Sequence, residues 1–255
     1  MRLQVLGCSG GIGGAQLRTT SLLVGEHLLI DAGTGVGDLE LAQLAKIDSA
    51  FITHAHMDHI AMLPLMLDAV GELRSTPLTV YATAPTRAVL ENHIFNWSIW
   101  PDFSVIPTAE NPYLRFQTIH VGQTIAVAGV NVTVLPAEHT VPAVGYHLDS
   151  GTSSLIFTGD TTVNDRLWVV ANRIANLRYL LIETAFPDNE RALAVASKHL
   201  CPQLLATELA KLEGEVEIYV AHLKPVHADL TMQQITDAIP QRTPKRLENG
   251  QIFSF

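Results

Sequence analysis

The sequence predicts an α+β fold in which two mixed β-sheets lie face to face between two helical layers. Both halves of the chain carry hairpin-like strands followed by alternating strands and helices, and a two-sheet sandwich between helices accommodates that order. The chain has 255 residues, of which 47% are hydrophobic, and this is enough for one domain with a large core. We therefore expect a single αββα domain over residues 1–255, without a linker or a fixed-period repeat.

Short apolar runs bounded by turn residues predict strands, and longer runs with helical periodicity predict helices. The predicted strands are residues 3–7, 19–25, 27–33, 49–53, 78–83, 114–122, 124–137, 143–150, 153–160, 178–184 and 216–222. The predicted helices are residues 60–70, 85–95, 162–174, 202–214 and 231–239. The Gly-rich segment GCSGGIGG is interpreted as a place of close backbone packing or as a turn near the site, because a dinucleotide-binding loop requires a following helix and QLRTTSLLV predicts a strand.

Charge, cysteine content and hydropathy disfavour several classes of protein. The net charge of −9 and the pI near 5.6 disfavour binding to nucleic-acid phosphates, which needs clustered Lys and Arg. Cys8 and Cys201 do not suggest a disulfide framework. Neither a signal-peptide core nor a run of about 20 apolar residues is present. We therefore expect a cytoplasmic protein that does not contact a membrane.

The run HAHMDH is the most informative motif of the chain. It places His54, His56, Asp58 and His59 within six positions, between a predicted strand and a predicted helix. Imidazole is the commonest metal ligand in proteins, and a carboxylate can bind or bridge a second ion. The alternative interpretation is a polar loop whose Asp58 caps the helix. The concentration of four potential ligands favours a metal site.

Further titratable residues stand at the ends of apolar strands. His139, Asp160, Glu183 and His222 each come where the chain leaves a predicted strand, as His54 does. Functional groups gather at such positions because a rigid sheet holds them while loops leave them accessible. Each residue alone is a weak signal. Together with HAHMDH they predict one shared site.

These motifs resemble the metallo-β-lactamase-fold hydrolases. The matching segments are DAGTG at Asp31, HAHMDH, His139, TGD at Asp160 and His222, in the order that the family has. The resemblance implies two divalent ions, with zinc as the default and manganese or iron as alternatives. It also implies a role for each residue. The first ion is bound by His54, His56 and His139, and the second by Asp58, His59 and His222. Asp160 bridges both ions, and Asp31 supports the ligand loop. His56 departs from the Glu of flavodiiron relatives, which favours hydrolysis over redox chemistry.

Three further segments resemble the class II 3′,5′-cyclic-nucleotide phosphodiesterases of the ribonuclease Z-like branch. They are HIFNWSIWPDF from His93, the pair ETAFPDN and SKHLCP, and HLKP from His222. Cys201 stands where Thr or Ser is usual, which is a mild departure. The resemblance implies a small-molecule partner, a cyclic nucleotide, that is hydrolysed to the 5′-monophosphate.

His199 is the candidate general acid, because it directly precedes a helix that Pro202 would initiate. By resemblance, Glu183 would pair with it and raise its pKa. Asp58, His199 and Glu183 are thus the candidate catalytic residues. The alternative for His199 is an exposed residue at a helix entry.

His93, Asn96 and Lys224 are the candidate substrate-binding residues. The first two stand three positions apart near a helix end, and Lys224 could contact phosphate or simply solvent. The nearby Trp97, Trp100 and Phe103 could stack on a purine. They could equally form a local core or a homodimer interface, and the structural interpretation is slightly favoured.

The main functional hypothesis is a cyclic-nucleotide phosphodiesterase. The first alternative is a ribonuclease Z-type endonuclease for tRNA 3′ processing, against which the negative charge and the compact length argue. A thioester or lactone hydrolase is a third hypothesis. A metal-binding or regulatory protein without turnover is the hypothesis from a different class, and the complete ligand set opposes it.

Overall fold

The computed structural model describes residues 1–255 and contains two sheets of seven strands each. The first sheet contains, in spatial order, β14 (Ile252–Ser254), β1 (Arg2–Gly7), β2 (Ser21–Val24), β3 (Leu28–Ile30), β4 (Ser49–Phe51), β5 (Leu78–Thr83) and β6 (Leu114–Ile119). The second contains β13 (Lys245–Arg246), β12 (Glu217–Ala221), β11 (Leu177–Glu183), β10 (Ser154–Phe157), β9 (Val144–Asp149), β8 (Val130–Pro136) and β7 (Thr124–Val127). The predicted two-sheet fold is confirmed.

Each sheet is antiparallel in one half and parallel in the other. In the first sheet β14, β1, β2 and β3 pair antiparallel, and β3 to β6 pair parallel. In the second, β7 to β10 pair antiparallel and β10 to β13 pair parallel. Parallel strands end at the same edge of a sheet, so the residues that follow β4, β10, β11 and β12 emerge at shared edges.

The helices are short and connect the strands. They are α1 (Leu41–Leu44), α2 (Met57–Ile60), α3 (Met62–Val70), α4 (Ala84–Val89), α5 (Asp165–Ala171), α6 (Arg191–Ala196), α7 (Pro202–Leu209) and α8 (Ala228–Ala238). Single 3₁₀ turns span Thr34–Asp38, Gly71–Leu73, Asp188–Glu190 and Pro225–His227, and a π-helical turn spans Leu90–Ile94. No helix has both the length and the apolar character needed to cross a bilayer.

Three apolar clusters produce the four-layer arrangement. The cluster between the sheets includes Val5, Tyr146 and Leu181, all buried. A second cluster packs α3 against the first sheet, and a third packs α5, α7 and α8 against the second sheet. The alternation of strand side chains explains this, because Leu181 joins the central cluster while its neighbour Leu180 joins the outer one.

Two predicted elements differ from the observed ones. The predicted β segment over residues 124–137 divides into two strands, because Ala128 and Gly129 both adopt positive φ (50° and 78°) between β7 and β8. Such a two-residue turn matches the twist of paired strands. The predicted helix over residues 85–95 begins as α4 and ends as the π-helical turn.

Candidate metal centre

The ligand residues predicted from the sequence meet at one edge of the two sheets. His54 follows β4, His139 follows β8, Asp160 follows β10 and His222 follows β12. Three further residues come from one short segment: His56 precedes α2 with extended backbone, and Asp58 and His59 lie in its first turn. Their ligand atoms form overlapping groups in which every atom lies within 4.8 Å of the others.

The first group consists of His54, His56 and His139. His139 Nε2 lies 3.2 Å from His56 Nδ1, and the rings of His54 and His139 have centroids 5.0 Å apart. Burial lowers the pKa of His54 well below its usual range and lowers the pKa of His139 to about 4. Both rings are therefore neutral at pH 7, as a metal ligand must be.

The second group consists of Asp58, His59 and His222. His222 Nε2 lies 3.8 Å from Asp58 Oδ2, and the rings of His59 and His222 stack with centroids 5.6 Å apart. Burial lowers the pKa of His222 to about 3. His222 has a φ of 61°, a conformation that costs a non-glycine residue on the order of 1–3 kcal/mol. The backbone N–H of His222 donates to Cys8 O at 2.7 Å, which helps to hold the strained backbone.

Asp160 lies between the two groups. Its Oδ2 is 3.8 Å from His54 Nε2 and 4.0 Å from His139 Nε2. Its Oδ1 is 3.4 Å from His59 Nε2 and 3.3 Å from His222 Nδ1. Each oxygen therefore faces a different group, which is the geometry that a bridging carboxylate requires.

Hydrogen bonds fix the tautomers of His54, His59 and His139 so that Nε2 of each ring faces the centre. His59 Nδ1 donates to Asp31 Oδ2 at 2.7 Å, and His139 Nδ1 donates to Lys198 O at 3.1 Å. Thr53 Oγ1 donates to Asp31 Oδ2 at 2.8 Å and accepts from His54 Nδ1 at 3.0 Å. Partners of this kind orient metal-binding imidazoles and raise their basicity.

The donor set fits divalent metal ions. His54 Nε2, His59 Nε2 and His222 Nδ1 are buried and have no hydrogen-bond partner. Buried nitrogens without a hydrogen-bond partner cost free energy, and these three face the oxygens of Asp160 with no donor between them. Burial opposes a charge on His59, yet Asp160 and Asp31 raise its pKa well above the usual range. The centre therefore attracts positive charge.

His199 and Glu183 form a buried pair beside this centre. His199 Nδ1 donates to Glu183 Oε1 at 2.7 Å, and the carboxylate also accepts from the backbone N–H groups of Thr161 and Leu200. Burial is the largest single effect and lowers the pKa of His199, but the charge and hydrogen bond of Glu183 together with the charge of Asp160 raise that pKa above its usual value. His199 also forms a group with His139 and Asp160, so its ring reaches the centre.

Lys224 lies on the same side as His199 and is half-buried. Its Nζ donates to Gly10 O at 2.7 Å and lies 6.0 Å from the centroid of Phe186. Its positive charge lowers the pKa of both His199 and His222, although burial and the nearby carboxylates have larger effects. The Gly-rich segment thus contacts the site through Gly10, where a Cβ would come within 2.5 Å of His222 O.

The structure does not bring His93 and Asn96 to the ligand cluster. Helix α4 begins at the end of β5 and runs back along β6, where Arg87 donates to Thr118 and Phe95 packs on Phe116. His93 is exposed, and Asn96 bonds to backbone groups of its own turn. Their role in substrate binding stays a prediction without support from contacts.

The aromatic residues beyond this turn divide between core and surface. Phe103 is buried and packs on Phe95, whereas Trp97 is 65% exposed and Trp100 is half-buried. The core interpretation holds for Phe103.

Three residues of the site were not identified from the sequence. Thr53 orients the Asp31 carboxylate, Lys198 provides a carbonyl for His139, and Phe186 lies beside His199 with ring centroids 5.7 Å apart. Thr53 directly precedes His54, so its position beside the motif was the available signal. The contacts of Lys198 and Phe186 depend on the packing of distant segments.

Comparison with known proteins assigns the chain to a family. Residues 26–243 match the model described as the beta-lactamase superfamily domain, so the chain belongs to that superfamily. A protein of Yersinia pestis named "Probable 3',5'-cyclic-nucleotide phosphodiesterase" is 30% identical over 71% of this chain and 58% of its own length. A "Ribonuclease Z" of Clostridium beijerinckii is 29% identical over 56% of this chain and 47% of its own length.

A solved structure described as unliganded yeast PDE1 superposes with a TM-score of 0.78 at 18% identity, covering 100% of this chain and 99% of the other. This likeness shows the shared fold. The chain spans about half to three fifths of the length of the curated relatives that it matches. The resemblance to cyclic-nucleotide phosphodiesterases and to the ribonuclease Z-like branch, inferred from motifs, is confirmed as a relationship.

Proposed function

We propose that this chain hydrolyses 3′,5′-cyclic nucleotides to 5′-monophosphates at a centre of two divalent metal ions. His54, His56 and His139 would hold one ion, Asp58, His59 and His222 the other, and Asp160 would contact both. Zinc suits this imidazole and carboxylate set, and manganese or iron are the alternatives. Such ions, when bound, supply positive charge for the phosphoryl oxygens and lower the pKa of a bound water.

His199 would protonate the departing 3′ oxygen. The raised pKa favours its imidazolium form, and the Glu183 carboxylate fixes Nδ1–H and directs Nε2 toward the centre. General acid catalysis of this type typically contributes about 10²–10⁴-fold to the rate. Lys224 lies on the same side and would attract the phosphate.

The observation that carries the proposal is the His199–Glu183 pair, at 2.7 Å, beside a largely buried cluster of seven potential metal ligands. A metal-activated water on one side of a phosphodiester and a proton donor for the alkoxide on the other together promote its hydrolysis. The motifs shared with cyclic-nucleotide phosphodiesterases favour that substrate class.

Ribonuclease Z activity is the second candidate, because a relative of that name aligns with the chain. The net charge of −9 opposes it, since binding to tRNA phosphates needs a positive surface. A small cyclic nucleotide needs only a local cation such as Lys224.

The test is a substrate panel with zinc-loaded or manganese-loaded protein: cyclic AMP, cyclic GMP, a tRNA precursor and methyl p-nitrophenyl phosphate. We expect hydrolysis of the cyclic nucleotides with a 5′-monophosphate as product. His199→Ala should lower kcat by about 10²–10⁴-fold and leave the metal content unchanged. His27→Ala, at an exposed histidine bonded to Lys46 O, is the matched control. Efficient tRNA cleavage without cyclic-nucleotide hydrolysis would refute the proposal.

A further inference from the structure

A shallow cavity of about 460 Å³, open to solvent, adjoins the candidate metal centre beside His139. Its apolar lining includes Pro85, Val121, Val141 and Pro142, and Val121 is 41% exposed. The volume lies within the range of about 300–1,000 Å³ that is typical of small-molecule sites. Because His139 belongs both to this lining and to the ligand cluster, a molecule held at the cluster can extend directly into the cavity.

Glu138 is the charged side chain of this cavity. Its backbone is fixed on both sides, because its N–H donates to Thr161 Oγ1 at 3.0 Å and its carbonyl accepts from Thr162 N–H at 2.8 Å. Its carboxylate forms no hydrogen bond or ion pair with the rest of the chain. A carboxylate without a partner, on a fixed backbone, is available to accept hydrogen bonds from a ligand.

The charged groups around the centre differ in sign. Lys224, beside His199, offers a cation, whereas the cavity beside His139 offers Glu138 and apolar side chains. A phosphate is attracted to Lys224 and repelled by Glu138. The part of a cyclic nucleotide that suits the cavity is therefore its flat, largely apolar base.

We propose that this cavity, the base cavity (Pro85, Val121, Glu138, His139, Val141, Pro142), binds the nucleobase and that Glu138 selects guanine over adenine. This inference rests on the proposed hydrolysis of cyclic nucleotides. Guanine presents adjacent N1–H and N2–H donors that match the two oxygens of a carboxylate. Adenine presents one amino group flanked by ring nitrogens that accept hydrogen bonds and face a carboxylate unfavourably.

The experiment compares wild type, Glu138→Ala and Glu138→Gln in the ratio of kcat/KM for cyclic GMP to that for cyclic AMP. Wild type should favour cyclic GMP by about tenfold, as expected for a pair of charge-assisted hydrogen bonds at a partly exposed carboxylate. Glu138→Ala should remove the preference. Glu138→Gln should shift it toward cyclic AMP, because an amide pairs with the donor and acceptor of adenine.

Two controls isolate recognition of the base. Methyl p-nitrophenyl phosphate has no base, so its hydrolysis should be equal in all three proteins, and a parallel loss would show damage to the centre and overturn the assignment. Glu110→Gln makes the same chemical change at an exposed site and should leave the ratio as in wild type. Equal cyclic GMP to cyclic AMP ratios in wild type and both Glu138 variants also overturn the inference.

Calorimetric binding of GMP and AMP separates this inference from the proposed function. If the protein cleaves methyl p-nitrophenyl phosphate but no cyclic nucleotide, the proposed function fails. The base cavity then stands if GMP binds about tenfold more tightly than AMP and Glu138→Gln removes that difference. The assignment of the base cavity is refuted if GMP and AMP bind with equal affinity.

Discussion

Removal of the Glu208 carboxylate should loosen the segment that carries Asp160. Glu208 lies in α7 and is 1% exposed. Its Oε2 accepts the backbone N–H of Asn164 at 2.9 Å and the indole N–H of Trp168 at 2.7 Å, and its Oε1 accepts from Lys211. The Asn164 side chain donates in turn to Pro136 O at 2.8 Å, three residues before His139. One buried carboxylate thus connects α7 to the segments that carry Asp160 and His139.

The contacts of Glu208 determine how much the free energy of unfolding should fall in Glu208→Ala. The substitution leaves two buried donors, the Asn164 N–H and the Trp168 indole N–H, without an acceptor. Each unsatisfied buried group costs about 1–3 kcal/mol, so the free energy of unfolding should fall by roughly 2–6 kcal/mol. The ion pair with Lys211 adds little, because the lysine is partly exposed. The expected loss is a large part of the roughly 5–15 kcal/mol that stabilises a typical domain.

The assay is urea unfolding at a fixed zinc concentration, followed by tryptophan fluorescence and circular dichroism. Glu208→Gln keeps the volume and one acceptor but turns its amide N–H groups toward Lys211, so it should lose less stability. The double variant Glu208→Gln/Lys211→Met should recover part of that loss, and Lys211→Met alone is the matched control. A loss below about 1 kcal/mol in Glu208→Ala would refute the reasoning.

Other changes test the centre and the acid stability of the fold. Asp31→Asn should weaken zinc binding by about 10–100-fold in equilibrium dialysis, since it weakens the acceptor of His59 Nδ1, and unchanged affinity would contradict that role. Asp160→Ala should lower the metal content of both positions, and two tightly retained ions would contradict bridging. Burial lowers the pKa of His147 in the folded protein. As pH drops below about 6.5, the unfolded chain therefore binds a proton at this residue before the folded protein does, and the free energy of unfolding falls. His147→Leu should reduce the stability lost between about pH 7 and 5, and identical losses in the two proteins would contradict this effect.

The sequence by itself determined the fold class and the location of the centre. HAHMDH places four potential ligands within one loop and helix turn, so their proximity is a local property of the chain. The strand ends at Asp160 and His222 were informative for another reason. Apolar runs followed by a titratable residue predict strands that end at a common edge, and β10 and β12 do so on either side of β11.

Only the tertiary structure decided which contacts surround that centre. His139 bonds to Lys198 O across 59 positions of the chain, and Glu208 reaches Asn164 across 44. Sheet order and helix packing create such contacts, and nothing in the local sequence encodes them. Tertiary packing also decided the position of Asn96. Its motif predicted a place in the site, but α4 runs back along β6 and leads away from the ligand cluster. The role proposed for Glu138 likewise depends on tertiary structure, because its unpaired carboxylate can contact a ligand only beside the cavity that distant segments form.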